Sequence, residues 1–292
     1  MQLNGILPAL VTPFDANGEA DFKTLEKLIE WHLKSGVHGF VPMGSTGEYY
    51  AMSDQERLDA LRCVKETVGT RVPLIAGTNG GSTRDVIRHT EGAKKLGYDA
   101  VLLPPPYYSL PSQEELLAHY QAVLDAVDVE IILYNFPLRA GVEVGFDVLD
   151  ALADNPRVTA IKESSGNLLR ALEINKRYSG KYQLSCGSDD QAFDFFLWGA
   201  TSWICGPANC VVEPAVKFYN AFVSSDLSRA QEISRALYPL MTNLESGKFV
   251  QKVKYGCELA GIPVGDTRRP LLPLNDVEKR EVKELFKAAI KA

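Results

Sequence analysis

The feature that most constrains this chain is a recurring pattern rather than a recurring motif. Short β-rich apolar runs return every few tens of residues, each followed by a longer stretch with helical periodicity. The runs are GILPALVT (5–12), 39–44, VPLIAGT (72–78), AVLLPPP (100–106), EIILYNF (130–136), VTAIKES (158–164), YQLSCGS (182–188) and TSWICGP (201–207). Most are continuously apolar instead of alternating, as strands are when a parallel sheet is covered on both faces. Helices are predicted over 21–34, 53–68, 82–96 and 112–126, the second opened by a capping box at Ser53 and Glu56. Eight such units in 292 residues predict an α/β chain, a (β/α)₈ TIM barrel over 1–223, with three further helices in a C-terminal segment, 224–292, packed on it. A doubly wound sheet is the competing architecture, but neither GxGxxG nor GxxxxGK[ST] occurs.

Composition narrows the function classes. Hydrophobic residues make up 46% and charged residues 23%, the balance of a chain with a substantial core. A formal charge of −6, with basic residues scattered, argues against nucleic acid or an anionic membrane as the main partner. Cys63, Cys186, Cys205, Cys210 and Cys257 form no CxxC pair and are expected to be reduced thiols of a cytoplasmic protein. His32, His38, His89 and His119 have no metal-ligand spacing, so no metal site is expected. The amino terminus lacks a basic region followed by a continuous apolar stretch, so no signal peptide is expected. The uncharged run 195–212 is as long as a membrane span, yet Gly199, Gly206, Pro207 and Asn209 divide it into helix end, strand and turn.

In a barrel of this kind chemistry belongs at the carboxyl ends of the strands. There the sequence places Thr12, the turn GSTGE (44–48), Thr78, PPPYY (104–108), Tyr134-Asn135, Lys162-Glu163, Gly187-Ser188 and Gly206. Lys162 follows an apolar run directly. Desolvation there disfavours an ammonium and leaves amine to attack a carbonyl, the requirement for Schiff-base catalysis. A lysine paired with Glu163, or reaching out at the rim, fits the same local sequence. Tyr134 reads either as an acid–base group or as an aromatic over the core. Arg139 reads as a carboxylate clamp or a solvated loop charge. The turn GSTGE can offer amides and hydroxyls to a carboxylate, or simply be a tight βα turn.

These motifs, in this order and spacing, resemble the dihydrodipicolinate synthase / N-acetylneuraminate lyase superfamily of Schiff-base aldolases. The resemblance runs through GILPALVTPF (5–14), GSTGE, PPPYYSLPSQEE (104–115), YNFPLRAG (134–141) and IKESSGN (161–167), almost the whole chain. It implies a lyase in which Lys162 forms an imine with pyruvate or a related 2-oxo acid. Tyr134 would be the proton donor and acceptor, and Thr46 part of a relay completed by Tyr108 from a neighbouring subunit. Ser45 and the turn amides would hold the 2-oxo acid's carboxylate. Arg139 would bind the carboxylate of the second substrate, and Gly187 and Ile204 would line the pocket. The imine needs no metal or organic cofactor, and a homo-oligomer is implied, a dimer or a dimer of dimers (homotetramer).

Four positions depart from the synthase pattern: Ser45 where it has a threonine, Tyr49 and Tyr50 where it has small residues, and Ala140 where it has threonine. The favoured reading is a 4-hydroxy-tetrahydrodipicolinate synthase condensing pyruvate with aspartate semialdehyde. The close alternatives are a 1-pyrroline-4-hydroxy-2-carboxylate deaminase, a 2-keto-3-deoxy sugar acid aldolase or dehydratase, and an N-acetylneuraminate lyase. A non-catalytic binding barrel is the distant one. Arg139 is expected to be buried near the mouth, where it would need an anionic partner. Tyr49 and Tyr50 are expected to fill the cleft that in the synthase takes inhibitory lysine.

Overall fold

The apolar runs become strands, shorter than their sequence limits. The computed structural model describes residues 1–292. Its strands are β1 (Gly5–Pro8), β2 (Ile75–Gly77), β3 (Ala100–Leu103), β4 (Glu130–Asn135), β5 (Val158–Glu163), β6 (Gln183–Cys186) and β7 (Ser202–Cys205). They form a seven-stranded sheet in the order β1-β7-β6-β5-β4-β3-β2, and each pair from β2 to β7 is parallel. The eighth expected strand, 39–44, is reduced to one parallel bridge between Ala9 and Val41. Its sequence explains why. Pro42 has no N–H to give a ladder, and Met43 takes a positive φ of 59°, which turns the chain out of extended conformation.

The helices begin where capping residues put them. α1 (Phe22–Lys34), α2 (Asp54–Val68), α3 (Thr83–Lys95) and α4 (Gln113–Ala126) are capped by the side chains of Asp21, Ser53, Ser82 and Ser112, each accepting an N–H of the first turn. The Ser53–Glu56 capping box forms as expected, and Ser112–Glu115 forms a second. Two short helices, α5 (Pro137–Ala140) and α6 (Phe146–Leu152), link β4 to β5. α7 (Leu168–Arg177), α8 (Ala192–Leu197) and α9 (Val212–Val223) follow. The expected C-terminal helices are α10 (Leu227–Glu245), α11 (Phe249–Leu259) and α12 (Asp276–Ala289). Run 195–212 is the end of α8, strand β7 and a 3₁₀ turn at Pro207–Asn209, and no helix is long and apolar enough to cross a membrane.

The chain divides into two compact units. One holds Met1–Asn4 and Pro73–Trp203; the other holds Gly5–Val72 and Ile204–Ala292. The first is built on β2 to β6, whose residues are buried almost throughout, as expected of strands covered on both sides. The second is organised around Asn209, which is fully buried. Its carboxamide accepts from Val11 N (3.0 Å) and donates to Ala9 and Gly206 carbonyls (2.8 Å each). Its own carbonyl lies 3.2 Å from His32 Nε2 on α1 and also accepts from Cys257 Sγ on α11. All five cysteines are buried free thiols.

His32 is therefore a buried packing histidine, and burial pulls its pKa down to about 4, opposed in part by the bond to Asn209. The unfolded chain takes up that proton first, at its ordinary value of 6.5. Stability contributed by neutral His32 is complete above that value and is lost as pH falls toward about 4, up to about 3 kcal/mol. Urea unfolding between pH 7 and 4.5 should show the decline, and His32→Leu should flatten it. Parallel curves for the two proteins would rule this out. His119, also pulled to about 4 by burial, contributes to the decline in both proteins.

Candidate active site

In the first unit the decisive feature is the register of β4 against β5, which pairs Tyr134 with Lys162 and Asn135 with Glu163. Successive side chains of a strand point to opposite faces, so Tyr134 and Lys162 share one face, and Asn135 and Glu163 share the other. Lys162 and Tyr134 are each only 6% exposed, and Lys162 Nζ lies 4.4 Å from the centre of the Tyr134 ring. The alternative that Lys162 is one half of an ion pair with Glu163 fails. The Glu163 carboxylate accepts from Asn135 Nδ2 (2.9 and 3.1 Å), Ser165 N (2.7 Å) and Arg170 Nε (3.1 Å). Lys162 makes no ion pair, and its burial excludes a lysine reaching out at the rim.

Gly187 belongs to the same cluster. A Cβ on it would stand 1.8 Å from Ser164 Oγ, 2.8 Å from Lys162 Cε and 3.0 Å from the Glu163 carbonyl. Only glycine lets the backbone come that close to the lysine stem. Ser164 was not singled out by sequence, although it stands two residues beyond Lys162. It is 5% exposed, and its hydroxyl has no hydrogen-bond partner, an unfilled polar group beside the lysine.

Arg139 and Tyr108 are placed differently from expectation. Arg139 is exposed on α5, stacked 5.6 Å over the Phe136 ring, and makes no ion pair. The expected buried arginine is thus corrected: Pro137 starts a one-turn helix that turns the side chain outward, so no desolvation penalty demands a counter-ion. Tyr108 is 95% exposed at a φ of 73°, next to Leu110, also at positive φ and exposed. Leu110 rests over Gly141, where a Cβ would stand 2.5 Å from Leu110 Cδ2.

The second unit carries Ser45, Thr46 and Ile204. GSTGE is a 3₁₀ turn at Ser45–Gly47 closed by Glu48 in the left-handed region (φ 57°). Thr12 Oγ1 donates to the Gly47 carbonyl (2.7 Å), and Thr46 is 8% exposed. Ile204 on β7 is fully buried. Sequence reading missed what holds the turn. Glu48, fully buried, pairs with Lys254 Nζ (2.7 Å) and accepts from Arg268 N (2.9 Å). Lys254 also donates to the Asp266 carbonyl (2.9 Å) and lies 4.2 Å over the Phe14 ring. Burial lowers its pKa, and Glu48 opposes that shift. Tyr49 and Tyr50 follow the turn edge to face, 5.6 Å apart.

The model of the dihydrodipicolinate synthetase family matches residues 2–289. This chain belongs to that family. The 4-hydroxy-tetrahydrodipicolinate synthase of Pelobacter propionicus is 35% identical over 288 residues, covering 97% of this chain and 98% of that protein. Two solved structures are similar over nearly their whole length. The chloride-inhibited dihydrodipicolinate synthase of Acinetobacter baumannii, complexed with pyruvate, superposes with a TM-score of 0.94 at 33% identity and 99% coverage of both chains. The 4-hydroxy-tetrahydrodipicolinate synthase of Methylacidiphilum fumariolicum gives 0.95 at 30% identity, covering 99% of this chain and 97% of that one. The family is one of lyases, and the sequence resemblance to it is thereby established. Nowhere in the chain do three histidine, cysteine, aspartate or glutamate side chains gather as a metal site would need.

Gly187 gives a test of the cluster. Gly187→Ala should fold, at a cost of about 1–3 kcal/mol for the forced contact, but displace Lys162 and slow its reaction with a 2-oxo acid. Ser164→Ala in the same chain should restore only part of the rate, because the Lys162 Cε contact remains. A Gly187→Ala protein with the full wild-type rate of borohydride-trapped adduct would show that the glycine is dispensable.

Proposed function

We propose that this chain is a 4-hydroxy-tetrahydrodipicolinate synthase that condenses pyruvate with aspartate semialdehyde through an imine on Lys162. The observation that carries the reading is a buried lysine amine facing a tyrosine with no carboxylate of its own. The Lys162 amine adds to the keto carbon of pyruvate, and water leaves to give the imine. The protonated imine withdraws electrons from the neighbouring carbon, which then gives up a proton to become a nucleophilic enamine. The enamine attacks the aldehyde carbon of the second substrate, and the new alkoxide takes up a proton. The second substrate's own amine then adds to the imine carbon and displaces the Lys162 amine, which closes the product ring and frees the enzyme. Tyr134, over the amine, is the group read as moving these protons. The imine is itself the electron sink, so the reading calls for no metal or organic cofactor.

By their match to the family motifs, Ser45 and the turn amides are read as binding the pyruvate carboxylate, with Thr46 and Tyr108 extending the proton relay. Gly187 and Ile204 are read as pocket lining. Residues 1–223 are read as a (β/α)₈ barrel that carries the catalysis, and 224–292 as a helical segment packed on it. Exposed Arg139 suits the role of meeting an incoming carboxylate, at the strength of a solvent-screened contact. Tyr108, exposed as are Leu110 and Leu138, is read as reaching the site of a second copy of this chain. Tyr49 and Tyr50 remain the reason to expect poor inhibition by lysine. A catabolic reaction of the same imine is the second reading, favoured by the unfilled Ser164 hydroxyl, which a hydroxylated 2-oxo acid could engage.

Pyruvate and borohydride should leave a reduced adduct on the peptide IKESSGN, absent in Lys162→Ala; an adduct on a different lysine would defeat the mechanism. Arg139→Ala should keep the adduct and lower condensation efficiency by about 5-fold, the upper range for an exposed charge pair. Wild-type protein that fails to condense but releases pyruvate, water or ammonia from a deoxy sugar acid, sialic acid or hydroxypyrroline carboxylate would select the second reading.

Tyr108→Phe should slow turnover while leaving adduct formation intact, and sedimentation should show a dimer or larger. A fully active monomer would rule out the shared site.

A further inference from the structure

Behind the imine lysine, on the opposite face of its strand, lies a closed circuit of buried polar groups. Asn135 Nδ2 donates to both Glu163 oxygens (3.1 and 2.9 Å). Arg170 Nε on α7 donates to Glu163 (3.1 Å), and its terminal nitrogen donates to the Val144 carbonyl. Val144 N donates back to Asn135 Oδ1 (2.9 Å), which closes the ring. Asn135 and Glu163 are 0% exposed and Arg170 is 6% exposed. The Arg170 guanidinium also lies 4.7 Å over the Phe146 ring and 3.5 Å from Glu143.

Such a circuit is a poor investment in stability alone. A buried ion pair gains little over well-packed apolar residues of similar size, because desolvation offsets the attraction. What it supplies is geometry. The Asn135–Glu163 rung comes immediately after the Tyr134–Lys162 rung in the same ladder. A slip of one residue would move Lys162 to the wrong face, and the Asn135–Glu163 contact would be lost with it. The ring also ties both ends of segment 136–144, which carries Arg139 and the Gly141 platform under Leu110.

We propose that Asn135, Glu163 and Arg170 are positioning residues for the imine reaction: their circuit sets Lys162 against Tyr134 and fixes the base of the Arg139 segment. The inference rests on the imine reading above. Arg170→Lys is the sharpest probe, because it keeps the charge but removes the fork that bonds Glu163 and Val144 together. Glu163→Gln is the second probe. It keeps the oxygen that accepts from Arg170 and Asn135 but turns an amide toward Ser165 N, where both groups are donors.

The experiment compares wild type with both variants well below their unfolding temperatures. It reads the rate of borohydride-trapped pyruvate adduct on Lys162 and the separate kcat and KM of turnover. Misplacement of about 1 Å at a reacting group costs up to about 100-fold. The expected result is a 10- to 100-fold fall in adduct rate and kcat for both variants, with pyruvate KM changed by less than about threefold. Variants that lose stability yet keep wild-type adduct rate and kcat would overturn the positioning role while leaving the imine reading in place. Absence of any adduct on wild-type Lys162 would instead overturn the imine reading, and the positioning role with it.

Discussion

The parallel pairing of β4 with β5 is the constraint from which the chemistry follows. Neither Tyr134 nor Lys162 is unusual as a residue; what distinguishes them is adjacency on one buried face, with Nζ 4.4 Å from the ring centre. The strands that deliver them are apolar because both faces are covered. At the carboxyl end, in the last two rungs, buried polar groups enter, and Asn135, Glu163 and Arg170 satisfy one another on the far side. Glu163, next to the lysine in sequence, is no partner for it, because it faces the other side of the strand pair and bonds to Asn135, Ser165 and Arg170 there. Function and packing thus divide the two faces of the same pair of strands.

The second unit solves a comparable problem with residues far apart in sequence. Glu48 ends the hydroxyl-bearing turn in a left-handed conformation that a non-glycine residue adopts at some cost. It is held there by Lys254 from α11 and by the backbone of Arg268. The Arg268 guanidinium bonds the carbonyls of Gly18 and Ala51 (2.8 Å each), pairs with Glu56 and lies 4.4 Å over Phe14. The C-terminal helices therefore do more than cover a surface. They supply the counter-charge for a carboxylate that would otherwise be buried alone, a situation that costs several kcal/mol.

Where local sequence and structure part company, a backbone effect or solvent decides. Run 39–44 is as apolar as its neighbours, but Pro42 and the turn at Met43 leave it a single bridge. Arg139 sits in the motif expected of a clamp, yet a one-turn helix begun by Pro137 holds it in water. Its meeting with an anion is therefore screened by solvent instead of enforced by burial.

The sequence by itself determined the order of seven of its eight expected strands, the starts of α1 to α4 and the presence of a lysine at the end of an apolar strand. These depend on short-range chemistry: apolar runs, side chains that cap the next three amides, and a polar residue breaking a strand end. It also carried the family resemblance, because motifs spread over the whole chain keep their order. The partners of each polar group were decided by tertiary structure alone. Nothing near Lys162 in sequence says that Glu163 belongs to Arg170 and Asn135, or that Gly187 presses on the lysine stem. Nor does the GSTGE turn announce Lys254, more than 200 residues away. Burial, counter-charge and facing direction depend on which strands and helices pack together, and that is a property of the register and packing of the folded chain.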